Sequence, residues 1–435
     1  MASFFIPLTG LESDSTALNT IANDLSNMNT AGFKAQTTDF SDLFYQQIGS
    51  TGDGDPIQVG AGVQVASNEI GFTQGSINST GNSTDVALNG NGFFVLDNGG
   101  ALEYSRAGNF SLDSNGNLVS ANGLSVMGYP AANGVVNTNA PLTAINIPVG
   151  AVEDPQATTT MSMTANLDPT TAAGTQFPAQ LTVYDSLGES HVVTVTYTPT
   201  ANANVWDYSA ALPEGDYSAA GGNVVPAAIT GTMTFDANGN LTTVTPTGGA
   251  AETVGTAAGD ISSIPLNFNP NADNVLSDGA NDLTINWNLL SSSGTPTISQ
   301  VDTASAVSAT TQNGYASGQY QSFTIGDDGT VTVSYSNGQQ QNVGQLALAS
   351  VSNLQGLSLL GDGDYATTRA SGTAVVGTSG AAGLATVQDD ALEASNVNIS
   401  TEFSDLIIAQ RAFEANAKSV TTFDTVTQDT INMVH

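Results

Sequence analysis

The two ends of this chain carry matching stripes of apolar residues, and everything else lies between them. Over residues 8–28, Leu8, Leu11, Leu18 and Leu25 recur at steps of three and seven, with Ile21 and Met28 beside them. Over 399–431, Ile399, Phe403, Leu406, Phe413, Ala417 and Val420 follow a three–four alternation. Each spacing predicts an amphipathic helix with one face that must be buried against something. Ends that pair with each other hinge a chain at one base and leave the intervening domains nested outward. That plan suits a rod-like polymer subunit better than a compact enzyme.

The middle of the chain is constrained mainly by charge. Among 435 residues there are 5 basic and 39 acidic side chains, for a formal net charge of −34. The basic residues are Lys34, Arg106, Arg369, Arg411 and Lys418, so none falls between Ala107 and Thr368. Such a surface repels a phosphate backbone, which excludes nucleic acid as a partner. It also opposes self-association unless ions screen it. Adaptation to a saline or cation-rich medium and specific divalent-cation binding in the middle of the chain are both open readings of the acidity. No cysteine is present, which removes disulfides, thiolate catalysis and thiol-ligated metals. The opening MASFFIPLTG has no basic region before its apolar residues, and no stretch is long enough to span a bilayer. The expectation is export without an ordinary signal peptide and no membrane insertion.

A chain this long should hold two to four domains. Asn29 and Gly32 are suited to end the first helix, and 33–70 reads as a partly extended linker with aromatic anchors at Phe33, Phe40, Phe44 and Tyr45. From about Gly71 the pattern becomes short alternating runs joined by Asn-Gly turns, the signature of antiparallel hairpins. Residues 151–300 continue in that style with both tryptophans, Trp206 and Trp287. From about Gln300 the earlier style returns, and a Gly-rich passage over 371–389 leads into the last helix. The expected fold is α+β and mainly β: paired N- and C-terminal helices forming a coiled-coil-like base, with nested antiparallel β domains. Its parts are a helical core (1–32 and 390–435), a linker region (33–70 and 371–389), an inner β domain (71–150 and 301–370) and an inserted outer β domain (151–300).

No catalytic constellation emerges. The two histidines, His191 and His435, have no partner at metal-ligand spacing, and no nucleophile elbow stands on a strand–helix turn. Three acidic turns, at Asp113–Asn117, Asp236–Asn240 and Asp327–Gly329, are candidates for calcium, and the first two begin like calcium loops. None has the closing glutamate or flanking helices, so each reads as a hairpin turn. Trp206 and Trp287 read as core residues, with a lectin-like site as the alternative. Pro7 is tolerated in a first helical turn, so the first helix is expected to begin there and leave Phe4 and Phe5 on a short extended tail.

The two ends also carry motifs. The run "LTGLESDSTALNTIANDLSNMNTAGFKAQ" resembles the N-terminal signature of the flagellar rod/hook family, whose leucine-rich helix ends in an N-x-N-T-x-G-[FY]-K turn. Here that turn contains Asn27, Asn29, Thr30, Gly32, Phe33 and Lys34. The ending resembles the family's paired C-terminal signature, with Leu392, Glu393, Ser395, Asn396 and Val397 in one element and Gln410 and Arg411 in the next. "STDVALNGNGFFVL", "YSRAGNFSLDSNGNLVS" and "TQNGYASGQ" are similar to internal family runs. The large 151–300 insert points to the hook branch of that family rather than to its shorter distal-rod members.

The resemblance implies a structural subunit that self-assembles into a flexible tubular helical polymer, a universal joint carrying motor torque to the filament in an extracellular appendage. It implies no enzymatic activity, cofactor or metal. The expected partners are further copies of the chain, the distal rod, hook cap and hook–filament junction proteins, and the flagellar export apparatus. The polymerisation interface is expected on the two apolar stripes. The first alternative is a flagellar distal-rod protein, which leaves the insert unexplained; the second is a β-rich surface-layer or adhesin protein, which leaves the paired helices unexplained.

Overall fold

The computed structural model describes residues 5–53, 55–216, 227–268, 280–281 and 283–433. The fold is mainly β, with one long helix at each end of the chain: α1 (Phe5–Ser26) and α2 (Ile399–Met433). Phe5 is already helical, so α1 starts ahead of Pro7 rather than at it. Pro7 falls within the first turn, where its missing N–H has no intrahelical acceptor to lose. Phe4 and His435 lie outside the described residues. The start of α2 is capped by Asn398, whose Oδ1 accepts the Ser400 N–H at 3.0 Å.

The chain divides into two compact units: Met1–Val149 with Gln321–Ser334 and Gln340–His435, and Gly150–Tyr320 with Tyr335–Gln339. In the first unit the helices run antiparallel: Asn416 Nδ2 donates to Asp14 Oδ2 at 2.8 Å, while Glu402 at the start of α2 interacts with Asp24 near the end of α1. At ~1.5 Å per residue, α2 is ~52 Å long and α1 only ~33 Å, so the last part of α2 overshoots its partner. The other side of α1 lies on a two-stranded ribbon, Gln36–Asp42 paired antiparallel with Val63–Ile70. Thr9 Oγ1 accepts the Val63 N–H and Thr20 Oγ1 accepts from Thr38 Oγ1.

The stretch 33–70, expected as a linker with aromatic anchors, is therefore mostly paired strand. A second hairpin (Gln46–Ser50 with Pro56–Val59) extends it. Of its four aromatics only Phe33 is half-buried; Phe40, Phe44 and Tyr45 are exposed, because a two-stranded ribbon has only one covered face to offer. The Gly-rich passage over 371–389 also contains paired strands, Val375–Gly377 and Thr386–Asp389.

The β part of the first unit is an antiparallel sheet in the order Gln340–Leu346, Ser125–Ala132, Phe93–Asn98, Ala101–Ser105, Asp364–Ala366, Ser358–Gly361. Phe93, Val95, Tyr104, Tyr129 and Tyr365 share one core, with the Phe72, Phe93 and Tyr365 rings 5.5–5.9 Å apart. The turn Asp113–Asn117 closes a hairpin: Asp113 Oδ1 accepts the N–H groups of Asn115 and Asn117, and Gly116 takes φ +82°.

The second unit packs two sheets around one core. A six-stranded antiparallel meander runs Phe177–Tyr184, Ser190–Pro199, Val205–Ala211, Ile229–Phe235, Leu241–Pro246, Glu252–Thr253. The other sheet is mixed. Its central strand Thr160–Leu167 pairs parallel with Thr284–Asn288 and Ile298–Gln300, and antiparallel with Ala306–Gln312. The expectation of antiparallel pairing throughout fails here, because the neighbours of a central strand arrive by long crossovers. That last pairing also carries the unit beyond residue 300. Alternating side chains from both sheets bury Trp206, Trp287, Tyr197 and Tyr208 together. Asp236–Asn240 is the hairpin turn between two meander strands.

Candidate functional site

The two terminal motifs, over 350 residues apart in sequence, meet at one buried ionic clamp. Lys34 Nζ lies 2.6 Å from Glu393 Oε1, and both side chains are fully buried. Arg106 Nη1 approaches the other carboxylate oxygen at 3.2 Å. The remaining donors are placed with care: Lys34 Nζ donates to the Thr73 carbonyl at 2.8 Å, Arg106 Nη2 to the Gly90 carbonyl at 2.6 Å, and the Gly75 N–H to Glu393 Oε1 at 2.9 Å. The Arg106 guanidinium also lies 5.6 Å from the centre of the Phe93 ring, so the clamp opens onto the core of the sheet. Burial lowers the Lys34 and Arg106 pKa values, and the Glu393 charge opposes the shift at both. Two cations share one carboxylate here through the bonds of Lys34 Nζ and of Arg106 Nη1 and Nη2, while Arg106 Nε has no hydrogen-bond partner among the described residues.

Gly32 and Asn396 complete the junction. Gly32 donates its N–H to the Glu393 carbonyl at 2.8 Å and takes φ +68°. A Cβ there would sit 2.6 Å from the Arg106 carbonyl carbon, so only glycine permits the approach. Asn396 Oδ1 accepts the Ala35 N–H at 2.7 Å, and its Nδ2 donates to the Gly71 and Thr73 carbonyls at 2.6 and 3.0 Å. One side chain thus ties three segments. Asn27 and Thr30 shape the turn that leaves α1, through a 3.1 Å bond from Thr30 Oγ1 to Asn27 Oδ1. Leu392 sits in the strand Ala391–Glu393, paired with Ile77–Ser79. Phe33 is half-buried, Asn29 is exposed, and Ser395 Oγ accepts from the Val397 N–H. Gln410 and Arg411 are exposed on α2, away from the clamp.

The apolar stripes divide differently. Leu11, Leu18, Ile21 and Leu25 of α1 and Leu406, Ala417 and Val420 of α2 are half-buried. Leu8, Met28, Ile399, Phe403 and Phe413 are exposed, as are Ile407 and Ile408. The fully covered positions of α1 are instead small or polar (Pro7, Gly10, Ser13, Thr20 and Asp24), because this is the side pressed between α2 and the ribbon. A single chain therefore covers only part of either stripe.

Arg106 and Asp24 were not singled out by sequence reasoning. With only five basic residues in the chain, an arginine inside a strand-rich segment was the available signal for the first. For Asp24 the signal was a carboxylate set between Ile21 and Leu25 of the apolar stripe, in a run that also carries Glu12 and Asp14. In the second unit, buried His191 lies between two carboxylates, 3.1 Å from Asp185 and 3.0 Å from Asp216. Burial alone would lower its pKa, and the two acids outweigh that and raise it.

No group of three or more His, Cys, Asp or Glu side chains that could hold a metal occurs among the described residues. No described helix is long and apolar enough to cross a membrane. The chain matches the flagellar rod and hook proteins. Family models match along the chain in that order: the flagella basal body rod protein over 8–34, the flagellar hook protein FlgE/F/G D1 domain over 87–165, the flagellar basal body protein FlaE D2 domain over 154–315, and the flagellar basal body rod FlgEFG protein C-terminal over 388–433.

Full-length relatives narrow the class. The chain is 33% identical to the flagellar hook protein FlgE of Treponema pallidum over 467 residues, covering 100% of this chain and 99% of that protein. It is 34% identical to that of Escherichia coli over 446 residues, covering 99% and 100%. The chain belongs to the flagellar hook protein FlgE family, and its role is that of a structural subunit of the flagellar hook. The crystal structure of Helicobacter pylori flagellar hook protein FlgE2 shares the fold, with TM-score 0.51, 13% identity and coverage of 73% of this chain and 100% of that one.

Proposed function

We propose that this chain polymerises with copies of itself into the tube of the hook through its terminal helices, and that it does no catalysis. The observation that carries this reading is the uncovered apolar surface on the helix pair: Phe403, Ile407 and Ile408 are each at least half exposed on one stretch of α2. A monomeric protein rarely leaves such a stripe in water. Head-to-tail contacts that do not close on themselves generate an open helical tube. In it the helices would form a coiled-coil-like inner layer, with the β units nested outward in the order the sequence nests them. Distal rod, hook cap and hook–filament junction proteins would meet the two ends of the tube, outside the cell, after passage of the unfolded chain through the flagellar export apparatus.

Charge sets the condition for assembly. At −34 per subunit, copies repel until salt screens them. Purified chain is expected to stay monomeric at low salt and to form tubes at high salt, visible by electron microscopy. Phe403→Asp with Phe413→Asp should abolish the tubes and leave the melting of both β units unchanged. Tubes formed equally well by the double variant would overturn the helix-borne interface. Tubes indifferent to salt would remove the repulsion argument.

A further inference from the structure

Asp24 is a carboxylate with nowhere to put its charge. It lies in the last turns of α1 at 0% exposure, on the side pressed between α2 and the ribbon. Oδ2 accepts the Gln36 N–H at 2.8 Å, and Oδ1 has no hydrogen-bond partner among the described residues. Across the helix pair it faces Glu402 in the first turn of α2, with Asp405 one turn further on. The ribbon offers only the Gln36 amide and the Thr38 hydroxyl, the latter taken by Thr20, while Asp39 and Glu69 on its two strands are exposed. Lys34, the nearest base in sequence, is committed to Glu393 and Thr73. The charge that faces Asp24 across the helix pair is negative.

We propose that the helix pair closes by taking up a proton at Asp24, so that α1 and α2 part more readily as the solution becomes less acidic. The proton would sit on Oδ1, the oxygen without a partner, and remove the repulsion between Asp24 and Glu402. Burial raises the Asp24 pKa to about 6, with the Gln36 N–H opposing the shift, and Glu402 is raised by burial and then by Asp24. The sign follows: the closed pair binds the proton more tightly than the open one, so closure is strongest below about pH 4 and weakens between about pH 4 and 6. In that window the closing equilibrium should change roughly tenfold per pH unit, to a total of roughly 100-fold.

Amide hydrogen exchange of residues 5–26 in the full-length monomer, corrected for intrinsic exchange, measures this equilibrium at any starting level. In the unaltered chain, protection should fall roughly 100-fold from pH 4 to pH 7. Asp24→Asn keeps an acceptor for Gln36 and should remove the part of the fall that Asp24 carries, leaving the smaller pH dependence of Glu402, which its own burial raises. Glu402→Gln, which leaves Asp24 in place, should shift the transition to lower pH. The proposal is overturned by equal pH dependence in the unaltered chain and Asp24→Asn, by an unmoved transition in Glu402→Gln, or by no protection at any pH. Recovery of protection at pH 7 by calcium alone would assign the site to a cation instead.

Discussion

The terminal helix pair and the second β unit are two opposite solutions to burial within one chain. The β unit closes on itself. Trp206, Trp287, Tyr197 and Tyr208 fill a core lined from both sheets, and each is almost wholly removed from water. The helix pair covers glycine, serine, threonine and one aspartate, and leaves phenylalanine and isoleucine outside. The difference teaches that a region's apolar content does not reveal whether it is finished. A β sandwich satisfies its own backbone and its own apolar face, whereas a two-helix base satisfies its backbone alone. What fastens the helices to their sheet is therefore polar: the clamp of Lys34, Glu393 and Arg106.

That contrast can be broken most sharply at Glu393. Its replacement by alanine strands two buried cations and the Gly75 amide, and should cost about 5 kcal/mol, the upper end for a broken buried pair. Calorimetry should show the loss in the transition of the first unit, with the second unmoved. The mirror experiment is Trp287→Ala, which opens a large cavity and should cost about 4 kcal/mol. Here the second unit's transition should fall and the first stay in place. If either substitution shifted both transitions together, the two regions would not be independent.

A finer test is Gly32→Ala. It forces a side chain into the left-handed region and onto the Arg106 backbone, and should cost ~2 kcal/mol while leaving every charge of the clamp intact. An unchanged melting temperature would mean that the terminal motifs do not meet as closely as described. The smallest expected effect lies at His191. Its raised pKa means that the folded state holds the proton more tightly, so its contribution is complete below about pH 6.5 and fades as pH rises through the folded value. The second unit should therefore melt at lower temperature as pH increases through that range. His191→Gln should flatten this dependence, and equal slopes in both proteins would remove the two-acid account.

Much of this architecture is legible in the sequence. The periodicity of Leu11, Leu18 and Leu25, and of Leu406 and Val420, marks the two helices because 3.6-residue spacing is a local property of the chain. The Asn-Gly and Asp-x-Asn-Gly turns mark hairpins for the same reason, since positive φ at Gly116 and Gly239 is decided by the residue itself. The family motifs were readable as strings. Their meaning was not: nothing local says that Lys34 and Glu393 share a bond, or that Arg106 completes it.

The sequence by itself determined the helices at the ends, the β character between them, the acidity of the chain, and the family. Only the tertiary structure decided which face of each helix is covered, that the ribbon over 33–70 is paired strand, that Thr160–Leu167 takes parallel neighbours, and that Asp24 is buried beside another acid. The physical reason is one of range. Turn chemistry and periodicity act over a few residues, whereas burial, strand pairing and the meeting of charges depend on segments that only the folded chain brings together.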